Sequence, residues 1–394
     1  MKKIILYYGP KSGFKTLIPK TKKTLSELVT EYDAKNKIFT HRFEKEDDNQ
    51  TEESEIPAKE YIKNLIVYSE SYSGITESAI QSFVSLISGY DIDNFYLQNP
   101  PIQIKQQLEQ AFSNIISTEK YDYKKFNESM LFKINDNFSD NIIGQEGVKK
   151  RLLVSLYPLM KCNSSRKPVV IMFYGNSGIG KTETAKFISK VLGQPLFRKQ
   201  LSMFHSSEFQ NYLFGGNHFQ ACFARELLER ESNVILLDEF DKPHSVFYSA
   251  FYQLFDEGIF EDKNYNVELY NSIIICTSNY QSEEDIRKHL GDPIYFRFDK
   301  CIKFEKLSED SLRKIIEKLI NIKYKSLSKT EKKIVDSDYI KTKLFKSVSK
   351  LTNVRQISTI VDEYFSLQLV EKKLAQHSNQ KKRIDNNFPK IHSL

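Results

Sequence analysis

The chain has 394 residues, 40% hydrophobic and 28% charged, which is room for two or three domains with real cores and the balance of an ordinary folded protein. Its net charge of +7 comes from Lys scattered beside Glu; without a basic stripe interleaved with aromatics, nucleic acid is not an expected partner. The apolar runs are strand-sized, far short of the roughly 20 residues that cross a bilayer, so no membrane partner is expected.

"KIILYY" at Lys3 reads as a strand. The turn after it, "YYGPKSGFKT" from Tyr7, has the spacing of "FYGNSGIGKT" from Phe173: Gly9 to Lys15 is the same step as Gly175 to Lys181. The first copy departs where it matters. Phe14 stands at the position of Gly180, and a bulky Cβ hinders close approach to phosphates. Pro10 removes a backbone N–H. "LIVYSES" ends in Ser-Glu where a metal-supporting strand would end in two carboxylates. An ordinary strand-to-loop turn is expected there, with one ATP site per chain. "NLIVYS" and "FYL" at Phe95 read as further strands, and "TLSELVTEYDAK" and "AIQSFVSLIS" carry helical periodicity. The alternation predicts a small α/β domain over 1–125, a candidate for partner recognition. The acidic stretch Glu44–Glu55, without an apolar residue, reads as a solvated loop.

A helix is expected after Pro100 and Pro101, then a polar connector, then a second unit. In it, "PVVIMFYGNSGIGKTETAKFISKVLG" is a buried-strand run, a glycine loop and an amphipathic helix, the setting that G-x-x-x-x-G-K-[ST] requires. Gly175, Gly178 and Gly180 let backbone N–H groups converge on phosphate oxygens. Lys181 can reach the β- and γ-phosphates and Thr182 can ligate Mg²⁺. The nucleotide-binding set is Gly175, Asn176, Ser177, Gly178, Ile179, Gly180, Lys181, Thr182 and Glu183. "NVILLDEF" delivers Asp238 and Glu239 to a strand's C-terminal end, where open α/β sheets bind ligands. Asp238 supports the metal with Thr182, and Glu239 polarises the attacking water. "SIIICTSN" is a neighbouring strand from which Asn279 can reach the water or the γ-phosphate. The four cysteines form no CxxC pair and have no His at zinc spacing, which reads as reduced thiols in a cytoplasmic protein.

From about 141 to 375 these segments, in order, resemble an AAA+ ATPase of the Clp type. "IIGQEGVKKRL" is similar to that family's opening, which implies that Ile142 and Ile143 lie near the adenine. "PIYFRFDKCIKFEKL" looks like the segment that presents an arginine finger to the neighbouring subunit, here Arg297. "LTNVRQISTIVDEY" is similar to the lid helix carrying a second sensor, with Arg355 in the arginine's place although Asn-Val replaces Gly-Ala. The resemblance implies an α/β P-loop AAA+ module, a parallel sheet flanked by helices, with a large subdomain over 126–304 and a helical lid over 305–375. The polar, basic tail over 376–394 is expected to lack fixed structure. It also implies a homo-hexamer or other ring that hydrolyses ATP with Mg²⁺ and remodels a protein partner. One departure stands out: no Gly-Tyr-Val-Gly lies between the two nucleotide motifs. Phe214, before paired glycines, or Phe219 could substitute as a substrate-gripping aromatic; either could equally pack under its loop, packing being favoured for Phe219 and exposure for Phe214. The competing function is a nucleotide-gated assembly or sensor, for example in stress or antiviral defence, that threads nothing.

Overall fold

The computed structural model describes residues 1–31, 59–161, 166–203 and 207–387. The acidic stretch Glu44–Glu55 and Cys162 lie outside them.

The first unit is a five-stranded, all-parallel sheet: β1 (Lys3–Tyr8), β2 (Lys23–Thr24), β3 (Glu60–Val67), β4 (Tyr90–Gln98) and β5 (Ile116–Lys120), in the order β2-β3-β4-β1-β5. Helices α1 (Lys11–Leu17), α2 (25–31), α3 (Glu77–Gln81), α4 (Phe83–Ser88) and α5 (Ile102–Phe112) connect and cover it. Parallel strands covered on both faces bury apolar side chains, and Ile4, Leu6, Leu65, Val67, Phe95 and Leu97 form this core. The periodic run "AIQSFVSLIS" is two short helices broken at Ser82, whose φ of −120° and ψ of 36° leave the helical region. The turn after β1 differs from the expected loop. Pro10 enters α1 directly, so Lys11 to Leu17 are helical and Phe14 is wholly buried beneath them.

After α6 (Glu128–Asn141) and α7 (Glu146–Leu156) comes a second all-parallel sheet of β6 (Val169–Tyr174), β7 (Phe197–Gln200), β8 (Val234–Asp238), β11 (Ile273–Thr277) and β12 (Lys300–Lys303), in the order β12-β6-β11-β8-β7. A short hairpin of β9 (Ile259–Glu261) and β10 (Asn266–Glu268) lies apart. Every residue of β6, β8 and β11 is buried, as central strands between two helical layers must be. One face packs an aromatic core of Phe223, Phe240, Phe251 and Phe255; the other packs Ile134, Phe138, Leu152 and Ile188. Helices α8 (Lys181–Leu192), α9 (Ser207–Phe214), α10 (Phe223–Leu228), α11 (Tyr252–Glu257), α12 (Glu283–Leu290) and α13 (Asp292–Tyr295) complete these layers.

The remainder is helical: α14 (Glu309–Ser326), α15 (Ser337–Lys346) and α16 (Val354–Asn387) share a core of Leu312, Ile316, Ile340, Leu344, Ile357 and Phe365. Ser308 caps α14 by accepting from the Ser311 N–H, with Glu309 and Asp310 in the first turn and Lys323 and Lys325 in the last, matching the helix dipole. α16 corrects the expectation for the tail: residues 376–387 continue this helix. No Gly or Pro interrupts the sequence until Pro389, so nothing local stops the helix at its last apolar contact. Residues 388–394 lie outside the described chain.

Candidate functional site

β6 ends at the turn that starts α8. Gly175, Gly178 and Gly180 take φ of +127°, +74° and +112°, values that side chains with a Cβ rarely adopt. A Cβ on Gly175 would also lie 2.5 Å from the Phe304 carbonyl oxygen after β12, and one on Gly178 would lie 2.9 Å from Asn353 Cβ. The glycines therefore serve the turn's shape and its contact with the lid as well as access for a ligand. Val354 N–H donates to the Gly178 carbonyl at 2.9 Å, so the start of α16 rests on this turn.

Lys181 Nζ is buried and donates to the carbonyls of Gly175 (2.5 Å) and Asn176 (2.7 Å) and to Asn279 Oδ1 (3.2 Å). Burial pushes its pKa down to about 8, opposed by Asp241 and Asp238 and assisted by Arg355. Thr182 Oγ1 lies 3.4 Å from both oxygens of Asp238. Thr277 Oγ1 donates to Asp238 Oδ1 at 2.5 Å, and Arg198 on β7 pairs with Oδ2 at 2.6 Å. Glu239 follows with a φ of +58°, a left-handed backbone for a residue with a Cβ. Its N–H is held by Thr277 Oγ1 (2.9 Å), the next N–H by the Thr277 carbonyl (2.8 Å), and its carboxylate accepts from Gln200 Nε2 (3.1 Å).

These groups open into a cleft of about 620 Å³ between the sheet's C-terminal edge and the lid. Its polar end holds Lys181, Thr182, Asp238, Glu239 and Asn279; Ser177, Gly178, Ile179, Gly180 and Glu183 form the wall between. Its apolar end is Ile142, Ile143, Ile315, Leu319 and Val354, a slot of the kind a purine ring fills. Gly175 and Asn176 do not line it; they take part through the carbonyls that hold Lys181. Arg355 reaches the cleft from the lid. Arg297 does not line this cleft: Nε donates to Asp256 (2.8 Å), Nη1 to the Pro293 carbonyl (2.6 Å), and the guanidinium lies 4.3 Å over Tyr252.

Sequence reasoning missed Arg198, Gln200, Thr277 and Gln145. The first three become neighbours of the acidic pair only through the order β11-β8-β7. Gln145 fastens the turn by donating to the Ile179 (3.3 Å) and Glu305 (2.9 Å) carbonyls. Phe214, the last residue of α9, and Phe219 in the loop after it are both exposed, at 39% and 55%. That corrects the packing expected for Phe219: the buried residue of the segment is its neighbour His218, at 3%.

The sheet, the glycine turn running into α8 and the adjacent acid-ended strand define a P-loop nucleotide-binding fold. The family model for the AAA domain (Cdc48 subfamily) matches residues 166–325. Chaperone protein ClpB of Clostridium perfringens is 26% identical over 219 residues, covering 48% of this chain and 25% of that protein. The mitochondrial disaggregase of Bos taurus is 30% identical over 180 residues, covering 42% of this chain and 26% of its own. ClpB of Malacoplasma penetrans is 24% identical over 299 residues, 70% of this chain and 39% of that one. This chain therefore aligns with well under half the length of each of these curated relatives. A closed-state cryo-EM reconstruction of Hsp104 with ATPγS and FITC casein superposes with a TM-score of 0.54 at 13% identity, covering 95% of this chain and 89% of that one, a likeness of fold. Residues 166–325 thus match an AAA domain, and the chain is similar to Clp-type AAA+ ATPases.

Among the described residues no cluster of three or more His, Cys, Asp or Glu side chains could hold a metal by itself. The Thr182 hydroxyl beside the Asp238 carboxylate nevertheless offers hard oxygen donors. That fits Mg²⁺, which takes few protein ligands and completes its shell with phosphate and water.

The lowered pKa of Lys181 sets a pH dependence. Well below pH 8 the amine is already charged and nucleotide binding takes up little or no proton there. Above it, phosphates raise the pKa and binding draws protons in, so affinity falls as pH rises. Calorimetry at pH 8.5 in two buffers of different ionisation heat should show net proton uptake; identical heats after normalisation would refute it.

Proposed function

We propose that the chain is an ATP hydrolase that assembles into a homo-hexameric or similar ring in the cytoplasm and remodels a protein partner. The working units are 1–125, 126–304 and 305–375. The observation that carries this reading is the meeting of Lys181, Glu239 and Asn279 at the mouth of one glycine-lined turn.

ATP lies with its base between Ile142, Ile143 and the lid, and its phosphates along Ser177 to Thr182. Thr182 and Asp238 would hold Mg²⁺, which would supply neutralisation of the phosphate charge. Lys181 leaves the Gly175 and Asn176 carbonyls for phosphate oxygens, keeping its proton. Arg198, paired with Asp238 in this structure, would free that carboxylate for the ion. Glu239 accepts the proton of the attacking water, and Asn279 orients that water. Arg355 senses the phosphates from the lid, tying its position to nucleotide state. Arg297 acts on a neighbour's site. The coupled enzymatic assay for released phosphate, run beside sedimentation in ATP, tests both halves: no hydrolysis at any protein concentration would reject the enzyme reading.

The absence of Gly-Tyr-Val-Gly favours a second reading, a nucleotide-gated assembly that threads nothing. Phe214→Ala and Phe219→Ala separate the two. Both side chains are exposed, so neither change should incur the roughly 3–5 kcal/mol of a core truncation, and melting and basal ATPase should stay near wild type. Under the remodelling reading at least one abolishes ATP-driven unfolding of a tagged fluorescent protein. Unimpaired unfolding by both variants would exclude these aromatics as the grip.

A further inference from the structure

The two sheets share more than the spacing of their first turns. Counted from their own first strands, both have the order 5-1-4-3-2 with every strand parallel. Their registers also coincide. With Tyr7 set on Phe173, the Asn99 N–H donates to the Tyr7 carbonyl (2.7 Å) as Ser278 does to Phe173 (2.9 Å). Tyr121 donates to the Tyr8 carbonyl (2.9 Å) as Phe304 does to Tyr174 (2.8 Å). The Ser69 N–H meets the Gln98 side chain (3.4 Å) as the Glu239 N–H meets that of Thr277 (2.9 Å). A Cβ on Gly9 would collide with Tyr121 as one on Gly175 would with Phe304.

In this overlay Lys15 and Thr16 keep the residue types of Lys181 and Thr182, while four other functional positions have changed. Tyr68 stands at Asp238, Ser69 at Glu239, Pro100 at Asn279 and Phe14 at Gly180. Phe14 fills the space against Tyr7 (5.5 Å) and Tyr68 (5.7 Å), while Lys15 points to solvent. At the same end of the sheet, the wholly buried amides of Gln98 and Asn99 each donate to the Gly9 carbonyl and to one carboxylate, that of Glu229 after α10, at 2.9 Å from each amide. The Lys11 N–H adds a bond to it at 3.2 Å, and Ser12 Oγ bonds Glu231. Further out, Arg225 donates to Ser73 Oγ (2.8 Å), and His218 sits between Glu77 Oε2 and the Ile75 carbonyl, 2.7 Å from each.

We propose that residues 1–120 are a second, nucleotide-dead copy of the P-loop fold whose former nucleotide end has become a carboxylate site for Glu229, bracing the loop that carries Phe214 and Phe219. The ligand class has changed from a phosphate to a protein carboxylate of the same chain. The same docking holds His218, between the two exposed aromatics, so detaching this unit frees their loop.

Two measurements on the full chain test this. In the first, ATP is titrated calorimetrically into the Glu239→Gln and Lys181→Ala variants. The expected stoichiometries are one per chain and none; ATP bound by Lys181→Ala and lost again on adding Lys15→Ala would overturn the dead copy. The second is hydrogen exchange without nucleotide, so it stands or falls independently of the ATPase reading. Glu229→Ala should speed exchange at residues 9–17 and 214–220 at least tenfold. Glu229→Gln keeps the shape but loses the charge and should fall between. Unaltered exchange in both variants would overturn the carboxylate site.

Discussion

Glu239→Gln should bind ATP as the wild type does and hydrolyse it roughly 10²–10⁴-fold more slowly, the usual contribution of a positioned general base. The amide keeps the size of the side chain, and the Glu239 backbone bond to Thr277 does not involve the carboxylate. Only the ability to take a proton from water is removed. Lys181→Ala should instead lose binding. Charged hydrogen bonds contribute roughly 1.5–3 kcal/mol each, and this amine replaces two carbonyl contacts with phosphate ones. Fluorescent-nucleotide titration and single-turnover hydrolysis on the same preparations distinguish the roles; equal loss of binding in both variants would remove Glu239 from catalysis.

The parts of the site legible in the sequence are those whose geometry is local. Gly175 to Thr182 lie within one turn, and its glycines, Lys181 and Thr182 are the residue types a phosphate-binding turn needs. Asp238, Glu239 and Asn279 were legible because strands buried on both faces are apolar runs that stop abruptly at polar residues. Arg198, Gln200 and Thr277 carried no such signal. Their relevance comes from sheet order, which a chain read end to end does not display, and a lone Arg in "PLFRKQ" looks like any surface residue. The same limit hid the repeat. The two copies share a loop's spacing in sequence, but otherwise a strand order and a hydrogen-bond register, and these belong to the backbone. Phe14, read as an obstacle to phosphate, is also the core residue that fills its place. His218 lay unnoticed between two aromatics because its partners, Ile75 and Glu77, are more than a hundred residues away.

Arg297→Ala should abolish steady-state hydrolysis while leaving nucleotide affinity intact, and the loss should be repairable by a partner chain. Within its own chain Arg297 is tied to Asp256 and Pro293 and does not line the cleft, so a direct effect on its own nucleotide is not expected. An arginine supplied in trans is worth roughly 10³–10⁵ in rate in phosphoryl-transfer systems. The decisive experiment mixes two inactive proteins. Arg297→Ala has an intact Glu239, and Glu239→Gln has an intact Arg297. Where the first binds ATP beside the second in a ring, one complete site forms, so equimolar mixing should restore a fraction of wild-type turnover that rises with protein concentration. If both residues acted within one chain, every site in the mixture would stay broken and no activity would return. Arg297→Lys sharpens the result: it keeps the charge but not the planar fork that spans two phosphate oxygens, so it should recover far less than wild type. Full activity in Arg297→Ala alone would move the finger to another residue or abolish the need for a neighbour.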